Sequence, residues 1–522
     1  MPGRVVLQWD KDDCADLGLI KVDLLGLGMM AVLEETLVLV REHEKKEIDL
    51  GQLPPDDPKV YDALQRADSI GLFQVESRAQ QATLPRLNPT KFYDLVVQVA
   101  IIRPGPIVGK MVHPYLRRRK GDEPVEPLHP LLAPVLERTL GVPLFQEQLL
   151  RMAMKVADFT GGEAEELRRA MGFKRSQDRM KEIELRLRSG MEKKGITGSV
   201  QETIVQSITS FALYGFPESH AASFALLAYA SAYLKCHHLA AFTCALLNNQ
   251  PMGFYHPAVV LKDAQRHGLR VLPVDITRST YPCSLEELQL RLGLNYVRGL
   301  RAQVSQQIVE ERNREPFADI DDLARRVPQL RKDELTVLAE IGALNPLKAQ
   351  HRRDALWKAT WAARPANPLL EKVAETAPES PLASMTPEER LQADYRGTSL
   401  TVGRHPMAHH REQMRELGVT PATDLVNISS GRWARVAGCV VVRQRPGTAN
   451  GIVFISLEDE TGISNVVVMP DMFTAHRLTI LSTPWLLIEG PLQNVDGVIH
   501  VRAKKIRPLN FAPIATESHD FH

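Results

Sequence analysis

The sequence predicts an α+β protein of several domains, in which a long and mainly helical part precedes a small β-barrel. Helical patterns of apolar residues dominate from residue 128 to residue 347. Between residues 430 and 510 the pattern changes to short runs of alternating apolar and polar residues, as in half-buried strands. A chain of 522 residues is long enough for two to four domains with cores of their own.

The composition is that of a globular protein from a reducing compartment. Hydrophobic residues make up 44%, charged residues 24%, and the formal net charge is +1, so a nucleic-acid surface would have to be a local patch. The five cysteines form no C-x-x-C pair, which argues against a zinc ribbon. No apolar run has transmembrane length, and the first residues show no signal peptide. We therefore expect a cytoplasmic protein without a membrane anchor.

The first informative pattern is LGLIKVDLLGLGMM, at residues 17–30. It predicts a buried strand over residues 19–24, a glycine turn, and a helix over Met29–Arg41. Lys21 and Asp23 are two residues apart and would point to the same face of that strand. A buried aspartate needs a partner or a metal. The pair fits a two-metal phosphoryl-transfer site, and it fits equally an Asp–Lys ion pair at a strand end.

Two basic stretches follow. Residues 101–121 contain Arg103, Lys110, Arg117, Arg118, Arg119 and Lys120 but no acidic residue, which indicates either a solvated face or a surface for a phosphate backbone. Between Arg168 and Lys194 ten basic residues stand against four acidic ones. Arg168 and Arg169 would project from a helix toward a phosphate or toward surface ion pairs. Upstream, Glu76 and Arg78 either brace a helix start or contact nucleic acid.

A long helix of small and apolar residues is predicted after the turn Tyr214–Pro217. Pro217 favours a helix start, and Glu218 or Ser219 is expected to cap it. The helix is apolar nearly all round and should be buried. Its N-terminus carries Tyr214, Ser219 and His220 and is suited to a phosphate. An ordinary buried helix with a hydrogen-bonded histidine is the alternative.

The C-terminal half divides into three patterns. Residues 290–313 and 319–347 have helix–turn–helix character with glycine turns in VRGL and EIGAL, typical of helix-hairpin-helix units or of plain αα-hairpins. Residues 364–390 are rich in Pro, Ala and Glu and predict a linker with one short helix. Five short strands over residues 430–510 suggest a barrel of OB-like strand order, which either binds a single strand or is purely structural.

Several longer motifs resemble a known family. YGFPESHAASFALLAYASAYLKCHH (214–238), FQVESR (73–78), IIRPGPI (101–107), LFQEQLL (144–150), LRRAMGFK (167–174) and KVDLLGL (21–27) resemble, in the family's order, bacterial C-family DNA polymerases, the DnaE-like α subunits. QPMGFY (250–255), DAQRHGLRVLPVD (263–275), VGRHPMAHHR (402–411) and DFH (520–522) look like the error-prone branch. The replicative branch is the weaker alternative, because a long C-terminal extension would be expected there.

The resemblance implies a division of the chain. It assigns residues 1–72 to a remnant of the palm, 73–275 to mostly helical fingers, 276–360 to a helix-hairpin-helix region, 361–425 to a linker with short helices, 426–510 to an OB-like domain, and 511–522 to a C-terminal tail.

The resemblance also implies roles for individual residues. Asp23 matches the third palm carboxylate and would hold catalytic Mg²⁺, while Lys21, Tyr214 and His220 would bind the nucleotide. Contacts to DNA are expected from Arg103, Arg117, Arg118, Arg119, Lys120, Arg168, Arg169 and Lys174.

The function implied is error-prone, template-directed DNA synthesis on primed DNA from deoxynucleoside triphosphates, as in damage tolerance. Family members work with a Y-family-like accessory protein and reach the sliding clamp through it. The motif with the first two palm carboxylates and the N-terminal phosphoesterase-like domain have no match in these residues, so we expect the isolated chain to be inactive. A non-catalytic DNA-binding fragment is the alternative.

Overall fold

The computed structural model describes residues 8–9, 11–20, 25–102, 112–172, 177–211, 216–364, 379–511 and 518–521. Helices dominate up to residue 266. In chain order they are α1 Lys11–Asp16, α2 Leu27–Leu39, α3 Pro58–Gln65, α4 Arg78–Leu87, α5 Phe92–Ile101, α6 Val112–Lys120, α7 Ala133–Leu136, α8 Gln146–Ala157, α9 Gly161–Gly172, α10 Gln177–Lys193, α11 Gly198–Phe211, α12 Glu218–His237, α13 Leu239–Asn248 and α14 Pro257–Arg266.

Helix α12 lies at the centre of this helical part. It packs against α2, α3, α5 and α13, and its buried residues point in all directions around the helix axis. The buried, apolar helix predicted from the sequence is therefore confirmed. The predicted cap is wrong, because the helix begins at Glu218 itself and no side chain caps it locally. The Glu218 N–H donates instead to the Glu147 carboxylate of α8, at 2.9 Å.

The N-terminal segment differs from its prediction. Leu19 and Ile20, expected in a buried strand, are not in a strand, and the Ile20 side chain is 89% exposed. A strand needs a hydrogen-bonding neighbour, and in the part of the chain that the structure describes no strand pairs with these two residues. Residues 21–24 lie outside the described ranges. Helix α2 starts two residues before the predicted Met29 and continues after Leu39 into one turn of π-helix.

A small sheet and a second group of helices follow. Strands β1 Val271–Leu272, β2 Ser284–Glu286 and β3 Gln289–Arg291 pair in the order β1-β3-β2. The helices are α15 Ala302–Arg314, α16 Ile320–Arg326, α17 Lys332–Glu340 and α18 Arg352–Ala362. The glycine of the EIGAL motif, Gly342, has φ of 87°, and a Cβ there would lie 2.9 Å from Arg352 Nε. The tight turn after α17 therefore requires glycine.

Three further helices, α19 Pro387–Thr398, α20 Pro406–His409 and α21 Arg411–Glu416, fall within the predicted linker. They are not detached from the rest of the molecule. Leu391, Tyr395 and Met414 are buried in one cluster with Trp485 and Leu487 of the C-terminal sheet.

The C-terminal sheet consists of seven strands with two helices inserted. They are β4 Trp433–Gln444, β5 Val453–Glu458, β6 Ile463–Val468, α22 Pro470–Ala475, α23 Arg477–Ser482, β7 Trp485–Val495, β8 Val498–Arg502, β9 Lys505–Pro508 and β10 His519–Phe521. Pairing runs from β4 through β5, β6, β8 and β7 back to β4, with β6 and β8 parallel. We call these five strands the strand ring. Strand β9 adds to β7, and β10 adds to β4.

The strand ring contacts the helical part through Val441 and Val442 of β4, which belong to the hydrophobic core of the helical part, and through several polar contacts. Arg266 of α14 lies 3.0 Å from Glu458 at the end of β5, and Lys120 of α6 lies 2.8 Å from Asp496 in the β7–β8 turn. Arg78 of α4 donates to the carbonyl of Ile455 at 3.0 Å. Among the described residues, no helix combines the length and apolar character needed to cross a membrane.

Candidate nucleotide and DNA interface

The N-terminus of α12 presents His220 between two phenylalanines. The imidazole ring lies 5.0 Å from the ring of Phe216 and 4.2 Å from that of Phe224, measured between centroids. These contacts hold the half-buried ring in place while leaving part of it accessible. The neighbouring Glu218 accepts from the Tyr93 hydroxyl at 2.8 Å.

A line of rings connects His220 with the start of α2. Phe224 makes an edge-to-face contact with Phe73 at 5.2 Å, and a Cβ on Gly26 would lie 3.3 Å from the Phe73 ring. Gly26 has φ of 93° and is three residues from Asp23 in sequence. The structure therefore connects His220, which contacts Phe224, with Gly26, which contacts Phe73, through the contact between these two phenylalanines.

Five of the predicted site residues, namely Lys21, Asp23, Arg103, Lys174 and Tyr214, lie outside the described residues. Arg168 and Arg169 lie in the last two turns of α9, so the helix predicted for them is present. The roles of all seven residues stay predictions.

The four basic residues at the end of α6 all have carboxylate partners. Arg118 and Arg119 are half-buried, and they donate to Glu123 at 3.1 Å and to Asp94 at 2.7 Å, respectively. Arg118 also donates to the carbonyl of Leu140 at 2.8 Å, and Arg119 to that of Leu87 at 3.4 Å. In this structure these two arginines brace the helical part.

The other two residues of this run are exposed. Arg117 lies 2.9 Å from Glu123, and Lys120 lies 2.8 Å from Asp496 and 3.4 Å from Asp122. Exposed pairs of this kind contribute little, about 0–1 kcal/mol, so a DNA phosphate can replace the carboxylate at small cost. Arg117 and Lys120 are therefore the members of the run whose carboxylate partners are exchanged for another anion at the smallest cost.

A buried ionic cluster at the other end of α12 was not predicted. The Lys235 side chain is 7% exposed, and its Nζ lies 2.9 Å from Asp68 and 2.8 Å from Asp263. His267 Nε2 lies 2.5 Å from the second oxygen of Asp68. A lysine within an otherwise apolar helix was the available signal, because a buried ammonium requires carboxylate partners. The partners are distant in sequence and could not be identified from it.

The charges in this cluster depend on one another. Burial alone would raise the pKa of Asp68, but the hydrogen bond from His267 and the charge of Lys235 hold it well below its usual value. The same hydrogen bond raises the pKa of His267. Asp68, Asp263 and His267 have the composition of a metal site. Because the ammonium of Lys235 already binds both carboxylates, the cluster is an ion-pair network and does not fit a catalytic metal centre.

Glu76 of the FQVESR motif joins two loops. Its carboxylate accepts from the N–H of Gly71 at 2.9 Å and from the N–H of Phe254, in the QPMGFY motif, at 2.6 Å. Burial raises the pKa of Glu76 to about 7, although both N–H donors lower it. Of the two roles considered from the sequence, bracing and nucleic-acid contact, these contacts support bracing.

We expect this carboxyl group to make the protein less stable at higher pH. Folded Glu76 keeps its proton up to about pH 7, whereas the ordinary value is 4.5, so stability is lost as the pH rises through this window. Glu76→Gln should remove about 2–3 kcal/mol of the difference in unfolding free energy between pH 4.5 and pH 8. Urea unfolding of the wild type and the variant at pH 4.5 and at pH 8 measures this difference. Glu310→Gln, at an exposed site, is the control and should keep the wild-type pH dependence.

Comparison with known proteins identifies the class of this molecule. Residues 29–195 match the family model of the bacterial DNA polymerase III alpha subunit finger domain, and residues 268–355 match a helix-hairpin-helix motif. The second match covers the helices α15 to α17 and the glycine turn at Gly342. The chain belongs to the DnaE-like C-family DNA polymerases, as the sequence motifs predicted.

The relatives extend this match over the whole chain. An error-prone DNA polymerase of Anaeromyxobacter sp. strain K is 48% identical over all of this chain and 48% of its own length. Those of Methylococcus capsulatus and Nocardia farcinica are 45% and 47% identical over all of this chain and over 52% and 46% of their own lengths. The chain thus spans about half the length of the curated relatives it matches.

Proposed function

We propose that these 522 residues are part of an error-prone DNA-directed DNA polymerase that acts in translesion synthesis and damage tolerance. The single observation that carries the proposal is the identity of 45–48% over the complete chain with proteins named error-prone DNA polymerase. The division into palm remnant, fingers, helix-hairpin-helix region, linker and OB-like domain is part of the proposal, with the boundaries given above. The closed pairing of β4, β5, β6, β8 and β7 supports an OB-like barrel.

The proposed reaction is attack of the primer 3′-hydroxyl on the α-phosphate of a deoxynucleotide, with pyrophosphate leaving. DNA polymerases use divalent metal ions, and we expect Mg²⁺ here, with Asp23 as one of its ligands. His220, Lys21 and Tyr214 would orient the triphosphate. The ring contacts from His220 through Phe224 and Phe73 to Gly26 support this arrangement, because they fix the nucleotide end of α12 relative to the segment that follows Asp23.

The exposed side chains between Leu19 and Met30 form the surface next to Asp23 in the sequence. Leu19, Ile20, Leu25, Leu27 and Met30 are all exposed, although they are large and apolar. A cluster of this kind marks a surface that another protein segment covers. We propose that the remainder of the palm covers it in the complete enzyme.

For DNA, we propose contacts by Arg117 and Lys120 of α6, by Arg168 and Arg169 of α9, and by Arg103 and Lys174. Arg118 and Arg119 would act mainly by holding α6 in place. The helix-hairpin-helix region would bind the phosphate backbone without regard to sequence. A Y-family-like accessory protein, and the sliding clamp through it, are the proposed partners.

The first test is primer extension. A two-metal site needs more carboxylates than Asp23 supplies. We therefore expect the 522-residue polypeptide to bind primed DNA without extending it in Mg²⁺ and all four deoxynucleotides. Its Asp23→Ala variant should bind equally well and be equally inactive. Extension by the wild-type polypeptide that disappears in Asp23→Ala would show that these residues contain a complete metal site.

Salt dependence tests the binding part of the proposal. Each phosphate neutralised by Lys or Arg adds about 0.7–0.9 to the slope of log affinity against log salt. The double variant Arg117→Gln, Lys120→Gln should lower that slope by roughly 1–2, whereas Arg396→Gln, which removes an exposed arginine of α19, should leave it unchanged. An affinity that does not respond to salt would contradict both the polymerase proposal and the alternative of a non-catalytic DNA-binding fragment.

A further inference from the structure

A cavity of about 590 Å³ lies between the helical part and the strand ring. One wall is a single face of α4, formed by Arg78, Ala82 and Arg86 at helical spacing. The opposite wall is the outer surface of β5, β6 and β8, which contributes Phe454, Asn465 and His500. The volume is within the range of about 300–1,000 Å³ that small-molecule sites occupy.

Arg78 is a half-buried cation for which the described residues provide no carboxylate partner. Its guanidinium lies 4.9 Å above the Phe454 ring and donates a hydrogen bond to the carbonyl of Ile455. Among the described residues, no carboxylate lies within ion-pair distance of it. Burial lowers the pKa of Arg78 to about 10, which reflects the cost of an unneutralised charge in this position.

Arg86, two turns further along α4, also has a guanidinium group that is not fully paired. Its Nε is buried and has no hydrogen-bond partner in the described structure. Asp496, whose pKa the charge of Arg86 helps to lower, is already paired with Lys120 at 2.8 Å. A buried donor that is left unsatisfied destabilises the folded state, and an incoming acceptor would relieve that cost.

The third member of the group is His500. All three side chains line the same cavity. Burial lowers the pKa of His500, and the charges of Arg78 and Arg86 lower it further. His500 Nε2 lies 2.7 Å from Gln493 Oε1. The cavity is therefore most positive where α4 faces β8.

The other charged groups at the cavity are already neutralised. Arg266 is paired with Glu458 at 3.0 Å, and Arg66 with Asp62. Asp68 and Asp263 belong to the Lys235 network. Within the described part of the chain, Arg78 and Arg86 are the charged groups of this cavity that have no ion-pair partner.

We propose that this cavity binds a small phosphorylated ligand of nucleotide size, whose phosphate lies between Arg78, Arg86 and His500. A guanidinium fork suits phosphate oxygens, which accept two hydrogen bonds side by side. The rest of the ligand would lie against Val467, Ile463 and the Asn465 amide. The polar contacts Lys120–Asp496 and Arg266–Glu458 flank the cavity, which favours a compact ligand over a continuous strand.

Calorimetric titration of the 522-residue chain tests this site independently of any polymerase activity. The probes are dAMP and inorganic pyrophosphate, in buffer without divalent metal, so that metal-dependent nucleotide binding elsewhere does not contribute. We expect one site for dAMP. Arg86→Gln should weaken binding about tenfold or more, because it removes a charged hydrogen-bond donor. Ala82→Phe should weaken it similarly by filling the cavity, with no change of charge.

Arg477→Gln is the matched control, because it removes the same charge from an exposed position on α23, outside the cavity. It should change the affinity less than about twofold. Thermal melting establishes whether each variant folds. If Arg86→Gln does not fold, Ala82→Phe still tests the site. The proposal is wrong if neither probe binds, or if binding survives both cavity variants. It is also wrong if an oligonucleotide is the only ligand whose binding depends on Arg86.

Discussion

Replacing Lys235 with methionine is expected to lower the free energy of unfolding by roughly 3–5 kcal/mol. The variant removes the ammonium group that binds Asp68 and Asp263 at 2.9 and 2.8 Å, and it leaves two carboxylates in a site from which water is largely excluded. Methionine fills a similar volume, so the loss measures the unpaired charges rather than a cavity. Urea unfolding at pH 7, followed by circular dichroism, gives the value.

The pH dependence of this loss identifies its cause. The deficit of Lys235→Met should shrink as the pH falls below about 4, because the stranded carboxylates then take up protons and lose their charge. Lys332→Met, at an exposed position of α17, is the control and should change stability by less than about 0.5 kcal/mol. Equal stability of the two variants at pH 7 would mean that water reaches Asp68 and Asp263 and that the network contributes little.

The second large effect is expected in the strand ring. Gly490 of β7 is buried, and a Cβ there would lie 1.9 Å from the carbonyl oxygen of Arg502 and 3.3 Å from the N–H nitrogen of Lys504. Both neighbours are backbone atoms, one in the last residue of β8 and one in the connection to β9, so neither can rotate away. Gly490→Ala should therefore force the strands apart and destabilise the ring by about 3 kcal/mol, at the upper end of ordinary overpacking.

Gly447→Ala is the matched control, because this glycine of the β4–β5 connection has no atom within 4 Å of the added Cβ and needs no positive φ. The change in melting temperature of the two variants, followed by tryptophan fluorescence, compares them directly. Similar melting of Gly490→Ala and Gly447→Ala would mean that the backbone at residues 502–504 moves to accept the methyl group.

The strands of the ring could be predicted from the sequence because alternation is a local signal. The runs RWARVAGCVVVRQ, GIVFISLEDE, ISNVVVMP and WLLIEGPLQ correspond to β4, β5, β6 and β7. The run VIHVRAKKI is the exception, because it divides into β8 and β9 at residues 503–504. The break lies where the pairing changes, because β8 pairs with β6 and with residues 492–495 of β7, whereas β9 pairs with residues 486–489 of β7. A local pattern contains none of this pairing.

The candidate site was predictable only in part, because residue types can be read from the sequence whereas partners distant in sequence cannot. His220 and the basic end of α6 were identified as candidates by residue type, but Arg118 and Arg119 turned out to be paired with Glu123 and Asp94. The Lys235 network depends on residues about 28 to 167 positions away in sequence. The buried strand expected at residue 19 was wrong for Leu19 and Ile20, since an apolar run does not indicate whether anything covers it.

The packing of α2 has a consequence for the synthesis of this polypeptide. Met29, Val32 and Leu33 of α2 are buried, α2 packs against α13, and Glu35 binds the side chains of Asn248 and Asn249 at 2.6 Å. These partners leave the ribosome about 200 residues after α2, which at 5–20 residues per second is a delay of roughly 10–40 s. During that time the buried face of α2 lacks the partners that α12 and α13 provide in the folded structure. We therefore expect ribosome-associated chaperones to cover this apolar face of the nascent polypeptide well before the strand ring has been synthesised.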